Sequence, residues 1–215
     1  MSGELINVGS MNLTPAKYSD DDFASAASGG GGFMARLQLL TSNSAKCKAG
    51  EFPTNHYALV DGQDFQDVGK NVDVLIVDWR PKALETGENV ISSFDPGDPE
   101  FQRIQEKSGE ANSGCMYGPE FLVYVPSAKK FASFFMGTKS SRREAGNVKA
   151  KMHQAATLGS QKIETSKFSW FAPKASACST PFDVPSAEDL SEVIEKFRNP
   201  PKNEVETVED AGRAR

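Results

Sequence analysis

The sequence predicts a mainly β protein of the α+β class, with one helix inserted between strands and a second helix near the C-terminus. Short segments that alternate in hydrophobicity, or are rich in β-branched and aromatic residues, recur between residues 33 and 171. A helical period appears in two segments, 140–156 and 186–197. A chain of 215 residues, 38% of them hydrophobic, is long enough to form one core with polar segments at its ends.

Six segments carry the pattern of a strand. The strongest is 72–79, which is rich in β-branched residues and is predicted to end before Arg80 and Pro81. The acidic segment 85–118 predicts an irregular connection with at most a short helix at 99–107. The other predicted strands are 33–41, 57–60, 121–125, 131–136 and 161–171.

The inserted helix is predicted to begin at Ser140, a capping residue that is followed by Glu144. Helical spacing places one set of apolar residues on the buried side: Ala145, Val148, Met152, Ala155 and Ala156. A basic stripe lies beside them: Arg142, Lys149 and His153. The helix is therefore expected to pack on the core and to keep a cationic edge in solvent.

The two ends of the chain differ from its middle. Four consecutive glycines at 29–32 predict a flexible linker, because glycine loses much conformational entropy when it is ordered. The second helix is capped by Ser186 and is stopped by Pro200 and Pro201. The predicted regions are a flexible N-terminal segment at 1–32, a folded domain at 33–182, a C-terminal helix at 183–199 and a mostly acidic, disordered tail at 200–215.

Residues of the types used in catalysis and metal binding are scattered. The cysteines Cys47, Cys115 and Cys178 lie far apart, and the two histidines, His56 and His153, have no ligand spacing. Two acid pairs, at 73/78 and 95/98, leave a metal-dependent nuclease as the enzymatic alternative. We therefore expect a protein that is not an enzyme and has no cofactor or metal.

The N-terminus lacks the basic start and the apolar run of a secretory signal. No stretch of the sequence approaches the ~20 continuous apolar residues that a membrane span requires. The expected location is the cytoplasm, without a membrane partner.

Positive charge is concentrated in the stretch 120–174, which holds ten Lys or Arg residues and three acids. The whole chain, by contrast, has a net charge of −5. Aromatic residues are interleaved with these bases. Cations attract phosphates and flat rings stack on bases, so this composition favours binding of a single nucleic-acid strand. The alternative is that the rings fill a β core while the lysines solvate its outer face.

Eleven residues are the candidate contacts. The phosphate path is predicted from the clustered bases: Lys129, Lys130, Arg142, Arg143, Lys149 and Lys167. Strand alternation predicts Phe168 and Trp170 as a stacking platform, with Phe171 in the core beside Ile163. A rim is predicted where strand 72–79 ends, formed by Trp79, Arg80 and Lys82, although Trp79 could equally cap the core.

The order of these elements resembles that of single-stranded DNA-binding proteins of tailed bacteriophages. The residues that carry the resemblance are 35–40, 48–52, 72–79, 121–136, the 142–146 helix and Phe168-Ser169-Trp170-Phe171. The resemblance implies an OB-like antiparallel β-barrel over 33–182, and sequence-tolerant binding of single-stranded DNA during phage replication or recombination in the host cytoplasm. It also implies that replication or recombination proteins bind the C-terminal tail, although this tail ends in Arg213-Ala214-Arg215 instead of an aromatic residue.

A second class of function fits the same composition. A phage virion or assembly protein could have a β core of this kind and use its charged ends for interaction. The acidic tail is expected to compete with DNA for the basic stretch under the first hypothesis, because a tethered anion has a high effective concentration. The sequence leaves open whether the protein is a homo-oligomer.

Overall fold

The computed structural model describes residues 34–62, 64–87, 90–166, 169–178, 180–200 and 205–207. Outside these ranges lie the predicted linker, most of the tail, and the two predicted contacts Lys167 and Phe168.

The fold is mainly β, as predicted, with a curled sheet and a few helices. The strands are β1 Ala35–Leu39, β2 Tyr57–Asp61, β3 Asp64–Gly69, β4 Val72–Thr86, β5 Val90–Phe94, β6 Cys115–Val125, β7 Lys130–Phe135, β8 Ala155–Glu164, β9 Ser169–Ala177 and β10 Val205–Thr207. The helices are α1 Ala45–Lys48, α2 Phe101–Lys107, α3 Lys139–Lys149 and α4 Ala187–Arg198.

The sheet is built around the long strand β4. Its main path runs β10-β5-β4-β6-β7-β1-β2-β3, and β8 pairs with the first part of β4 and carries β9 on its other edge. All pairs are antiparallel except β1 with β7. The Tyr57 hydroxyl of β2 donates a hydrogen bond of 2.7 Å to the Gly159 carbonyl oxygen of β8. Strands distant in the pairing order therefore meet, and the sheet curls.

The concave side of the curled sheet holds the largest core. Alternate residues of β4, β6 and β7 point into it, as the period of a strand requires, and α3 packs against it through Ala145 and Val148. Burial raises the pKa of the Tyr57 hydroxyl in this core, so the group stays protonated and remains a donor to Gly159. Other buried members are Val74, Ile76, Phe121, Val123, Ala132 and Phe134.

The convex side of β4 and β6 is covered by the C-terminal helix α4. Its buried residues Leu190, Ile194 and Phe197 pack on Leu75, Val77 and Leu122. The predicted cap is present, since the Ser186 hydroxyl oxygen accepts a hydrogen bond of 3.1 Å from the Asp189 amide. The spacing of the three apolar residues thus fixes which side of α4 faces the sheet.

Strand β4 continues seven residues beyond its predicted end at residue 79. Pro81 is tolerated because this part of β4 has a free edge: β8 pairs with β4 only up to Leu75, and β5 pairs only from Ala83 onward. The acidic segment after it is also more regular than expected. It contains β5, the predicted short helix as α2, and the start of β6.

Three other boundaries differ from the prediction. Helix α3 begins at Lys139 after Thr138, whose side chain accepts a hydrogen bond from the Ser141 amide, and it ends at Lys149. The predicted strand 161–171 instead belongs to two antiparallel strands, with residues 161–164 in β8 and residues 169–171 in β9. In the predicted disordered tail, Val205–Thr207 pairs with β5.

Candidate nucleic-acid interface

Helix α3 presents a cationic surface because its one acidic residue is turned inward. Glu144 is buried, and its carboxylate accepts hydrogen bonds of 3.1 Å from the Ala175 amide of β9 and from the Asn147 side chain. Ala145 and Val148 occupy the same buried side of the helix. The charges that α3 leaves in solvent are therefore all positive.

Four cations lie on the open side of α3. Lys139, Arg143 and Lys149 are exposed, whereas Arg142 is half-buried and donates from Nη1 to the Tyr117 carbonyl oxygen at 3.0 Å. None of the four forms an ion pair with a carboxylate of the described ranges. By contrast, the following cations are paired with a carboxylate: Lys46, Arg80, Lys82, Arg103, Lys130, Lys162, Lys196 and Arg198.

Trp79 lies beside this cationic surface. It is 37% exposed, and no other large hydrophobic residue of the described chain is exposed. Its partner across the β4–β6 ladder is the buried Phe121, and the Lys149 ammonium lies 4.5 Å from the centre of its ring. The structure thus brings together four of the predicted contacts: Trp79, Arg142, Arg143 and Lys149. We call Trp79 together with Lys139, Arg142, Arg143 and Lys149 the α3 surface.

Arg80 and Lys82 follow Trp79 in sequence but belong to a buried ion-pair cluster. Glu120 is 1% exposed, and its carboxylate accepts from Arg80 at 2.7 Å and from Lys82 at 2.9 Å. Arg80 also pairs with Asp95 at 3.2 Å and lies 4.9 Å from the ring of Phe197 in α4. Their charges are therefore neutralised under α4, which does not fit the predicted role of Arg80 and Lys82 in a groove rim.

The electrostatics of the cluster follow from its burial. Burial alone would raise the pKa of Glu120, yet Lys82 and Arg80 together hold it below its ordinary value, so the carboxylate stays charged. Burial raises the pKa of Asp95, against the opposing effect of Arg80. Glu120 was not a candidate in the sequence, and the cross-strand pair of Glu120 with Arg80 becomes visible only with the β4–β6 register.

Lys129 and Lys130 lie away from the α3 surface. They are at the turn between β6 and β7, whereas α3 follows the other end of this hairpin. Five residues of strand, roughly 17 Å, separate the pair Val125–Lys130 from the pair Glu120–Phe135. Lys130 is also paired with Asp61 at 3.2 Å. Of the five predicted phosphate contacts that the structure describes, Arg142, Arg143 and Lys149 lie together on α3, and Lys129 and Lys130 lie at the far end of the β6–β7 hairpin.

The β8–β9 ribbon holds Trp170. In the antiparallel register of β8 and β9, Trp170 lies opposite Ile163, and Phe171 lies opposite Lys162. Ile163 thus shares a face with Trp170 and not with Phe171, contrary to the prediction. Phe171 is half-buried and belongs to none of the core clusters of the described residues, so its predicted place in the core is wrong.

One cation of the α3 surface, Lys139, was missing from the predicted contacts. It lies one residue before the predicted start of the helix, and recognising Thr138 as the cap would have included it.

The part of the chain that the structure describes contains no group of three His, Cys, Asp or Glu residues that could hold a metal ion. None of its helices has the length and hydrophobicity needed to cross a membrane. The chain matches no protein-family model, no curated protein and no solved structure.

Proposed function

We propose that this protein binds single-stranded DNA without sequence preference, in DNA replication or recombination, and that the α3 surface is its contact. The observation that supports this most is the combination of four cations without carboxylate partners in the described chain and an exposed tryptophan ring beside them. Elsewhere in the described chain, eight cations form ion pairs with carboxylates, whereas Lys48, Lys70, Lys107, Lys129, Lys151 and Lys174 form none. What distinguishes the α3 surface is therefore the grouping of its unpaired cations on one helix beside an exposed ring. A surface that keeps its positive charge unbalanced is suited to an anionic ligand.

The ring makes a single strand a better ligand than a duplex. In a single strand the bases are free to stack on an aromatic side chain, and such stacking is tolerant of sequence. Lys149 contacts the ring of Trp79, so one site could receive a base and its neighbouring phosphate together. Trp170, on the β8–β9 ribbon, remains a second candidate for stacking.

The connectivity supports the proposal of an OB-like barrel. β4, β6 and β7 form an antiparallel meander, α3 follows β7, and β8 then returns to pair with β4. OB-folds are partly open five-stranded barrels, and many bind oligonucleotides on the face of their second and third strands. Here the corresponding face of β6 is covered by α4 through Leu122. We therefore assign DNA to the α3 surface instead of that face.

Titration of the full chain with oligothymidine at low and high salt tests the proposal. Tryptophan fluorescence should be quenched on binding, because Trp79 is exposed and stacks on a base. Affinity should fall steeply with salt, since bound phosphates release counterions. Absence of binding at low salt would overturn the proposal and favour a phage virion or assembly protein.

Replacing Trp79 by alanine is expected to weaken oligothymidine binding by about 1–3 kcal/mol, the range for one stacked base. The free energy of unfolding should change far less than the about 3–5 kcal/mol typical of a buried aromatic residue, since Trp79 is 37% exposed and outside the core clusters. Anisotropy of a labelled oligonucleotide and urea denaturation measure the two quantities. The Trp170→Ala variant is the matched comparison, and an unchanged affinity of Trp79→Ala would remove Trp79 from the interface.

A further inference from the structure

The middle of α3 contains a glycine for which packing gives no reason. A Cβ added to Gly146 would meet nothing within 4 Å beyond its chain neighbours and the backbone of its own helix, and the residue is exposed. Its φ is not positive, so an L-residue could adopt the same backbone conformation. Glycine inside a helix lowers helix stability relative to alanine. Gly146 therefore reduces the stability of α3 without any gain in packing.

Helical spacing places Gly146 at the centre of the cations. It lies three residues after Arg143, three residues before Lys149 and four residues after Arg142. Residues three and four apart are neighbours on a helix surface. The gap left by the missing side chain is thus bordered by three cations, two of which also contact β4 or β6.

A bare patch of helix bordered by cations allows a phosphate backbone to approach closely. Glycine is the residue that permits such an approach, because no Cβ stands between the helix and the ligand. The side chains of Arg142, Arg143 and Lys149 are then near enough to contact the phosphates on both sides of the crossing point. Lys149 contacts the ring of Trp79. Trp79 therefore lies beside this crossing point, where its ring can stack on a neighbouring base.

We infer that the bound single strand crosses α3 directly over Gly146, with its sugar-phosphate backbone against the helix. This inference rests on the proposed function, and it assigns the point of closest approach within the α3 surface. Gly146 is then a binding residue that acts through its lack of a side chain.

A size series at this position tests the inference with oligothymidine as the probe. Gly146→Ala should weaken binding about threefold and Gly146→Leu about tenfold or more, because each side chain holds the phosphates further from the cations. Both residues are good helix formers, so Tm should rise by about 2 °C instead of falling. Loss of affinity together with a gain in stability cannot be ascribed to unfolding.

The matched controls are Gly97→Ala and Gly97→Leu. Gly97 is also exposed, also has nothing within 4 Å of an added Cβ, and lies outside the α3 surface. These variants should bind like the unmodified chain. If Gly146→Leu binds equally well while charge reversal on α3 weakens binding, the strand passes elsewhere on the same surface and the inference is overturned. If the unmodified chain does not bind, the proposed function itself fails.

Discussion

Replacing Glu120 by alanine is expected to lower the free energy of unfolding by about 3–5 kcal/mol, the cost of removing one partner of a buried ion pair. Glu120 is 1% exposed and its carboxylate is bound by both Arg80 and Lys82. The substitution would leave the buried Lys82 and the half-buried Arg80 without Glu120, and the half-buried Asp95 would be the remaining acid beside Arg80. Urea denaturation of the full chain measures the change.

The matched control is Glu51→Ala. Glu51 pairs with Lys46 at 2.9 Å, but its side chain is 51% exposed, and surface pairs of this kind contribute about 0–1 kcal/mol. If Glu120→Ala costs no more than Glu51→Ala, the cluster under α4 does not stabilise the fold as argued.

The same cluster predicts a dependence on pH. The pKa of Glu120 is lowered in the folded protein, so its contribution is present above the ordinary glutamate pKa and is lost as pH falls through the lowered value. The stability difference between the unmodified chain and Glu120→Gln should therefore shrink in acid. Asp95 has the opposite shift, because burial raises its pKa, and its protonation in acid favours the folded state. If the stability difference between the unmodified chain and Glu120→Gln stays constant down to the pH at which the protein unfolds in acid, Glu120 is not charged in the folded protein.

Most strands and the two long helices could be predicted because their signals are local. Alternation identified β1, and helical spacing identified α3 and α4, with the Ser186 cap of α4 recognised and the Thr138 cap of α3 missed. The end of β4 was missed because proline usually ends a strand, and a free edge is a property of the neighbouring strands. The break between β8 and β9 was missed because Thr165 and Ser166 give only a weak turn signal, without Gly, Pro, Asn or Asp.

The candidate site could be predicted only in part, because sequence does not reveal which charges are paired. Arg80, Lys82 and Lys130 each have a carboxylate partner that is 38 to 69 residues away in sequence. Arg142 and Lys149 were grouped correctly since they lie on one helix, where spacing of seven residues places them on one side. Their contact with Trp79 and Tyr117 depends on how α3 packs on the sheet, which helical spacing alone does not determine.

Reversing three charges of the α3 surface is expected to have the largest effect on DNA binding. In the triple variant Lys139→Glu, Arg143→Glu and Lys149→Glu, affinity for oligothymidine should fall about 10²–10³-fold at about 50 mM salt. Each phosphate contact on a single strand contributes about 0.7 to the slope of log affinity against log salt, so loss of three contacts should flatten the slope by about 2. All three side chains are exposed, and stability should therefore change little.

A second triple variant separates local contact from net charge. Lys48, Lys70 and Lys107 are exposed and lie on α1, before β4 and on α2, and none of them belongs to the α3 surface. Changing all three to glutamate alters the net charge by the same amount, so any loss of affinity it shows measures long-range repulsion alone. A long-range effect weakens with salt and would be similar in both variants. If the two triple variants lose affinity equally, the phosphates are not bound at α3. The positive charges of the chain would then act only by attracting DNA from a distance.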